Sequence, residues 1–191
     1  MKTLNRIISL EREKWQGTVL DYVTDYKSYE SYEVKINRDD DDFNVSFIKK
    51  PLSAPFIPNH DYADRLFRPW WEDVKAWGIV DGDKLLAAVE TSVEEHSNRL
   101  RITELWVSEE LRRQGIATAL MDTALNRAKE EKRRAVILET QSHNTAAIGF
   151  YLNYGFTLIG FDSCAYRNND LERGEVRMEF GIILNNIKNE R

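Results

Sequence analysis

Arg112-Arg113-Gln114-Gly115-Ile116-Ala117 lies between an apolar run, Leu100 to Val107, and a helical run, Thr118 to Lys132. A strand, a short turn with a small residue at its centre and a helix start together build an anion site. The first helical turn leaves backbone N–H groups without intrahelical acceptors, and the helix dipole adds partial positive charge. Gly115 lets the backbone approach a ligand with no side chain in the way. Arg112 and Arg113 bring charge beside it. Phosphate or pyrophosphate is the natural occupant. A basic turn with one glycine also caps ordinary surface helices, so these six residues alone leave a solvated turn as an equal reading.

The following segment tips that balance. Leu138-Glu139-Thr140-Gln141 ends a second apolar strand, and Asn144, Ala147, Phe150-Tyr151 and Gly155-Phe156 follow. Arg-x-x-Gly-x-Ala, then Asn-x-x-Ala-x-x-Phe-Tyr-x-x-x-Gly-Phe, resembles the acetyl-CoA-binding core of the GNAT acetyltransferase superfamily, from about Leu100 to Phe161. The resemblance implies an α/β fold with a mixed, mostly antiparallel central sheet, helices on both faces and a splayed acetyl-CoA cleft. It makes Leu105-Trp106-Val107 the edge that pairs with pantetheine, with Ala135 to Glu139 as the splayed neighbour. It assigns the pyrophosphate to the N–H groups of Gln114, Gly115, Ile116, Ala117 and Thr118. The N–H near Val107 would face the thioester oxygen, as a donor to the charge that builds there when an amine attacks. Asn144 bonds the pantetheine arm or caps its helix, and Ala147 falls on the cofactor side. Tyr151 lies where the family often places the acid that protonates the departing thiolate. A phenol suits that task, although a helix tyrosine packing on the cofactor is the plainer reading.

An attacking amine must be neutral. A primary amine of pKa near ~10.4 is almost wholly protonated at pH 7, which costs roughly 4–5 kcal/mol to reverse. Glu104, on the strand beside the expected thioester position, is the first candidate to take that proton, directly or through water. Strand alternation puts it on the face of Trp106 and opposite Leu105. Glu139 is the second candidate. Glu90, on the neighbouring strand, is a further candidate for an acceptor pocket. For Glu104 the alternative is an exposed sheet residue. Trp70, Trp71, Trp77 and Trp106 are more aromatic weight than this core requires, and aromatic faces with carboxylates make a cation pocket; core packing is the competing reading for each.

Beyond the superfamily pattern, Leu138 to Gln141, Asn144, Phe150-Tyr151, Gly155-Phe156, Gly160, Asp162 and Tyr166 resemble the streptothricin acetyltransferase group. That likeness implies a cationic small-molecule amine as acceptor, with Asp162 and Tyr166 on its side. The N-terminal region does not share the likeness. A peptide N-terminus or lysine is the alternative acceptor, and a non-catalytic acyl-CoA-binding module on the same fold is a third reading. Homodimerisation through the C-terminal strands, where Met178 to Leu184 is apolar, is an expectation of the family alone.

The elements that must position these groups follow from the whole chain. Its 191 residues suit a single domain, with 42% hydrophobic and 31% charged residues. The expected layout is variable strands over residues 1–58, an acceptor-side helix and strands over 59–99, the acetyl-CoA core over 100–161 and a C-terminal strand region over 162–191. A net charge of -5 argues against a nucleic-acid partner. No apolar run reaches the ~20 residues of a membrane span, and no signal-peptide pattern opens the chain. One cysteine and three scattered histidines make a metal site improbable. A cytoplasmic setting is expected. Strands are expected at Thr18 to Thr24, Ser31 to Asn37, Phe43 to Ile48, Lys75 to Val80, Leu85 to Val93, Leu100 to Val107, Ala135 to Glu139, Thr157 to Phe161 and Val176 to Ile183. Helices are expected at Tyr62 to Phe67, Thr118 to Lys132 and Thr145 to Tyr154. Asp39 to Asp42 form a hairpin tip, and Pro51, Pro55 and Pro58 an irregular loop.

Overall fold

Alternating apolar residues between Lys75 and Val107 fold into an antiparallel meander in a computed structural model of the chain, which describes residues 6–21, 27–57 and 64–184. Those residues belong to two units. The first takes residues 1–24, 60–138 and 182–191; the second takes 25–59 and 139–181.

In the first unit β1 (Ile8–Ser9), α1 (Arg12–Trp15), β4 (Lys75–Asp81), β5 (Lys84–Glu94), β6 (Arg99–Val107), α2 (Ile116–Glu130) and the start of β7 (Ala135–Gln141) follow the chain. The strand order is β1-β4-β5-β6-β7. Gly82 (φ 60°) and Asn98 (φ 48°) make the turns that let β4, β5 and β6 fold back on each other. One face of this sheet carries a buried cluster of Leu10, Trp15, Leu20, Leu66, Phe67, Ala76, Leu85 and Ala88, with Trp106 packed against it. α2 buries Leu120, Met121, Ala124 and Ala128, as its amphipathic stripe requires.

α2 also buries Arg127, which its periodicity does not announce. The guanidinium donates from Nη1 to the Thr91 hydroxyl at 2.8 Å, from Nη2 to Asp73 Oδ2 at 2.6 Å and from Nε to Glu131 Oε1 at 2.8 Å. Lys75 Nζ reaches the same Glu131 oxygen at 2.8 Å. Burial alone would raise the Glu131 carboxyl; the hydrogen bonds from Arg127 and Lys75 outweigh it and hold it down to about 2.

Three expectations for this unit are corrected. Thr18 to Asp21 is not a strand: only Val19 forms an isolated bridge, to Arg65. The remainder of that expected strand, 22–24, lies outside the described residues. The helix at Tyr62 to Phe67 is absent where described, since Leu66-Phe67 is a turn and Phe67 has φ 56°. Tyr62 and Ala63 lie outside the described residues. α2 begins two residues before the expected Thr118, because the left-handed Gly115 (φ 80°) sets its first turn.

In the second unit β2 (Ser28–Asp39) and β3 (Asp42–Phe56) form a long hairpin turning at Asp40-Asp41. The acidic tip is thus a turn, with Asp40 at φ 48°. The loop expected at Pro51 and Pro55 is instead strand. β3 pairs with β2 alone in a two-stranded sheet, and an edge position tolerates residues without an N–H. Pro58 lies outside the described residues. The end of β7, α3 (Thr145–Tyr154), β8 (Thr157–Asp162), α4 (Asp170–Arg173) and β9 (Arg177–Ile183) complete the unit, with β8 and β9 antiparallel. The hairpin is seated by the Tyr32 N–H on the Ser142 carbonyl at 2.9 Å, by Phe56 stacked on His143 at 3.8 Å and by Phe47 edge-on to Phe161 at 5.4 Å.

Arg127→Ala is expected to cost about 3 kcal/mol, the penalty for stranding groups that a buried charge had satisfied, read as a lower urea midpoint. Because the Glu131 carboxyl is depressed, its share of the stability is present above its ordinary 4.5 and is lost as pH falls through about 2. The gap between variant and wild type should therefore narrow below pH 4.5; a constant gap would show that Glu131 is not the partner that matters.

Candidate active site

β6 parts from its neighbour early. Its parallel pairing with β7 covers Arg99–Ala135, Leu100–Val136 and Arg101–Ile137, and within the first unit goes no further, although β6 runs on to Val107. Its other edge stays paired with β5 through Val107–Ala87. The Ser108 N–H donates to the Leu86 carbonyl at 2.9 Å. That bond makes Val107–Ala87 a non-hydrogen-bonded pair, so Trp106 turns its N–H toward β5, whereas Leu105 and Val107 turn theirs away. The Val107 carbonyl, aimed the same way, accepts from Arg112 Nε at 3.1 Å.

The chain then crosses to α2 through a turn with Arg113 at φ 59° and Gly115 at φ 80°. Gly115 is needed for that conformation rather than for clearance, since a Cβ there would meet nothing within 4 Å. Arg112, Arg113 and Gln114 are exposed, and Gln114 Nε2 is bonded to the Glu110 carbonyl at 2.8 Å. No side chain caps α2. Ile116, Ala117 and Thr118 therefore begin a helix whose first N–H groups face open space, which suits an anionic ligand.

The acceptor-side candidates of this unit separate. Glu90 and Glu104 are register partners on β5 and β6, so their side chains share a face. Glu90 is 0% exposed and Glu104 9%. Glu90 Oε2 accepts from the Phe67 N–H at 2.5 Å and Oε1 from the Thr103 hydroxyl at 2.8 Å. Burial pushes its carboxyl above the ordinary range, against those two bonds and the nearby charges of Arg12 and Arg68. The exposed-sheet alternative is thus corrected for Glu104. Trp106 is half-buried against the core, with Nε1 donating to the Asp21 carbonyl at 2.8 Å. Trp70 is exposed, but the Arg68 guanidinium lies 5.1 Å over its ring. Core packing is therefore corrected for Trp70, and the chain's own arginine stands over one face of its ring. Trp71 is half-buried, its N–H on the Arg68 carbonyl. Sequence reasoning missed Arg12, Arg68 and Thr103, because only the fold brings them to Glu90.

In the second unit Asn144 caps α3, its Oδ1 accepting from the Ala147 N–H at 3.2 Å. Tyr151, half-buried, sits in an aromatic group with Phe150, Phe156 and Phe180 at 5.7, 6.0 and 6.3 Å. Glu139 is held by Arg177 at 2.7 Å, and Glu179 takes the same nitrogen at 2.6 Å. Tyr166 has its phenol kept protonated chiefly by burial and then by the Glu139 carboxylate. Asp162 is lowered chiefly by the Cys164 N–H, which donates to it at 2.9 Å.

The acetyltransferase (GNAT) family model matches residues 41–156. The chain belongs to the GNAT acetyltransferase family. It is an acyltransferase, and acetyl-CoA is its acyl donor. The GNAT chain is 33% identical over 112 residues to N-alpha-acetyltransferase 30 of Schizosaccharomyces pombe, covering 57% of this chain and 72% of that one. It is 34% identical over 67 residues to streptothricin acetyltransferase A of Bacillus subtilis, covering 35% of this chain and 39% of that one. Its fold matches the crystal structure of nourseothricin acetyltransferase with a TM-score of 0.70 at 20% identity, over 95% of this chain and 99% of that one. Among the described residues no helix is long and apolar enough to cross a membrane.

A carboxyl raised above 4.5 weakens the fold as pH climbs from that value through the folded-state pKa, because the folded chain then binds more protons than the unfolded one. Glu90→Gln should lack this slope. Melting temperatures of the two proteins compared from pH 4 upward, in steps, should converge at the acid end and diverge above it; parallel curves would contradict the assignment.

Proposed function

We propose that this GNAT enzyme transfers an acetyl group to a primary amine by direct attack, and that the amine belongs to a cationic small molecule of the streptothricin kind. What favours a small molecule is the extent of the fold likeness: it takes in nearly the whole chain and nearly all of nourseothricin acetyltransferase, the N-terminal hairpin included. The local identity to streptothricin acetyltransferase A supports the same choice. The second reading, a peptide N-terminus as acceptor, is favoured by the longer stretch shared with N-alpha-acetyltransferase 30.

The donor supplies an activated acyl thioester. The uncapped first turn of α2, from Gln114 to Thr118, with Arg112 and Arg113, is assigned to its pyrophosphate. The Val107 N–H, turned away from β5, is assigned to the thioester oxygen, where a fixed donor stabilises developing negative charge. Leu105 and Trp106 flank it on the same edge. Glu104 is assigned to take the ammonium proton. Tyr151 is assigned to return a proton to the sulfur. Asn144 and Ala147 hold the start of the Tyr151 helix. Glu139, Asp162, Tyr166, Trp70 and Trp71 remain assigned to the acceptor side, Glu139 and Trp70 as groups already paired within the chain; Glu90, fully buried and bonded to Phe67 and Thr103, supports that side without touching the acceptor.

Two variants separate binding from turnover. Gly115→Glu combines a strained left-handed backbone with negative charge at the assigned pyrophosphate turn, and calorimetric acetyl-CoA binding should be abolished; retained affinity would remove that turn as the site. Tyr151→Phe should lower kcat by about 10²-fold or more with acetyl-CoA affinity nearly unchanged. Wild-type turnover in Tyr151→Phe would rule it out as the acid.

A further inference from the structure

The pairing of β5 with β6 slips by one residue. Glu90 stands opposite Glu104, but the next residue, Thr91, stands opposite Ile102. Thr103 is the extra residue of a bulge in β6. A one-residue slip reverses which backbone groups face the neighbouring strand, so the bulge decides that Leu105 and Val107, rather than Trp106, turn their N–H groups away from β5. The hydroxyl of that extra residue is bonded to Glu90 Oε1 at 2.8 Å.

The other oxygen of Glu90 holds a second element. Its partner, the Phe67 N–H, belongs to a buried residue at φ 56°, a left-handed backbone conformation that is strained for a side-chain-bearing residue and needs holding. Phe67 opens the segment that carries Trp70 and Trp71. The far end of that segment is fixed by the Glu72 carbonyl, which accepts from the Ser92 hydroxyl at 2.7 Å and the Val93 N–H at 3.1 Å. Both anchors are on β5.

We propose that Glu90 is a positioning residue: one buried carboxylate fixes the β6 bulge that aims the Val107 N–H and, through Phe67, the Trp70–Trp71 segment of the acceptor side. The catalytic part of this role rests on the acetyl-transfer reading above. Glu90 does not itself exchange a proton with substrate. It acts through the two backbone geometries it holds, and its hydrogen-bond acceptors matter more than its charge.

Three variants test it. Glu90→Leu removes both acceptors, Glu90→Gln keeps an amide able to bond both partners, and Thr103→Val removes only the hydroxyl. Glu90→Leu and Thr103→Val should lower kcat by roughly 10- to 100-fold, the scale on which misplacement of a catalytic group is felt. Acetyl-CoA affinity should stay within about threefold, and Glu90→Gln should keep kcat within about threefold, because uniform binding and aligned chemistry separate in this way. Turnover is normalised to sites counted by acetyl-CoA titration, so partial unfolding alone leaves kcat per site unchanged and would overturn the proposal. A Glu90→Gln loss as deep as that of Glu90→Leu would overturn it too, by making the charge the working feature. Amide hydrogen exchange needs no acceptor: Thr103→Val should accelerate Trp106 and Ser108, whose N–H groups pair with β5, and Glu90→Leu both of these and Phe67–Asp73. Wild-type rates at the β6 edge in both variants would refute the coupling. Failure of the wild type to acetylate any amine would strike the acetyl-transfer reading and leave the exchange result to decide Glu90.

Discussion

Among the described residues of the first unit, β6 is paired along one edge from Arg99 to Val107 and along the other for three residues. That asymmetry is the constraint on which the active half of the first unit depends. A strand satisfied on both edges has no N–H to offer a ligand. A strand satisfied on neither would not hold its position, because unpaired backbone groups are costly to bury. β6 pairs with β5 out to Val107 and leaves β7 after Arg101. Its last residues thereby keep two N–H groups directed off the sheet while their own position is fixed from behind. The bulge at Thr103 then selects which two.

The segment from Phe67 to Asp73 is held by hydrogen bonds and an ion pair more than by apolar packing. The meander has its buried cluster on one face, but the segment from Phe67 to Asp73 carries little apolar burial beyond Phe67. It is tied down by Glu90 at one end and by Ser92, Val93 and Arg127 at the other. Arg127 sits on α2, the helix whose opposite end begins at Gly115. One helix therefore presents open N–H groups at its start and clamps the Phe67–Asp73 segment near its finish. Buried charge is an expensive way to stabilise a fold; what it supplies here is a fixed direction.

The sequence made the core of this arrangement legible where local physics decides it. Thr145–Tyr154 was readable as a helix from its asparagine cap and glycine stop, and both ends fall where the capping residues put them. The turn at Gly115 was readable because a left-handed residue before a helix is a local demand. The loop expected at Pro51 and Pro55 was misread because proline's restriction depends on whether a strand is central or at an edge, which only the hairpin's pairing decides. The helix expected near Phe67 failed because Glu90, twenty-three residues away, holds that N–H in a turn. Glu90 and Glu104 could be named from strand alternation, but their opposition depends on a register slip that no periodicity shows. Trp70 was readable as an aromatic with two uses, core packing or a cation face, and only the fold shows it exposed with Arg68 over one face of the ring.

The most direct test of the account is release of free CoA from acetyl-CoA in the presence of single amines: streptothricin, aminoglycosides, polyamines, amino acids and short peptides. The account predicts release that depends on a cationic small-molecule amine, streptothricin foremost, and an acetylated product of matching mass. Release driven by peptides alone would contradict the proposed acceptor. Acetyl-CoA binding with no acceptor-dependent release from any amine would contradict catalysis by direct amine attack.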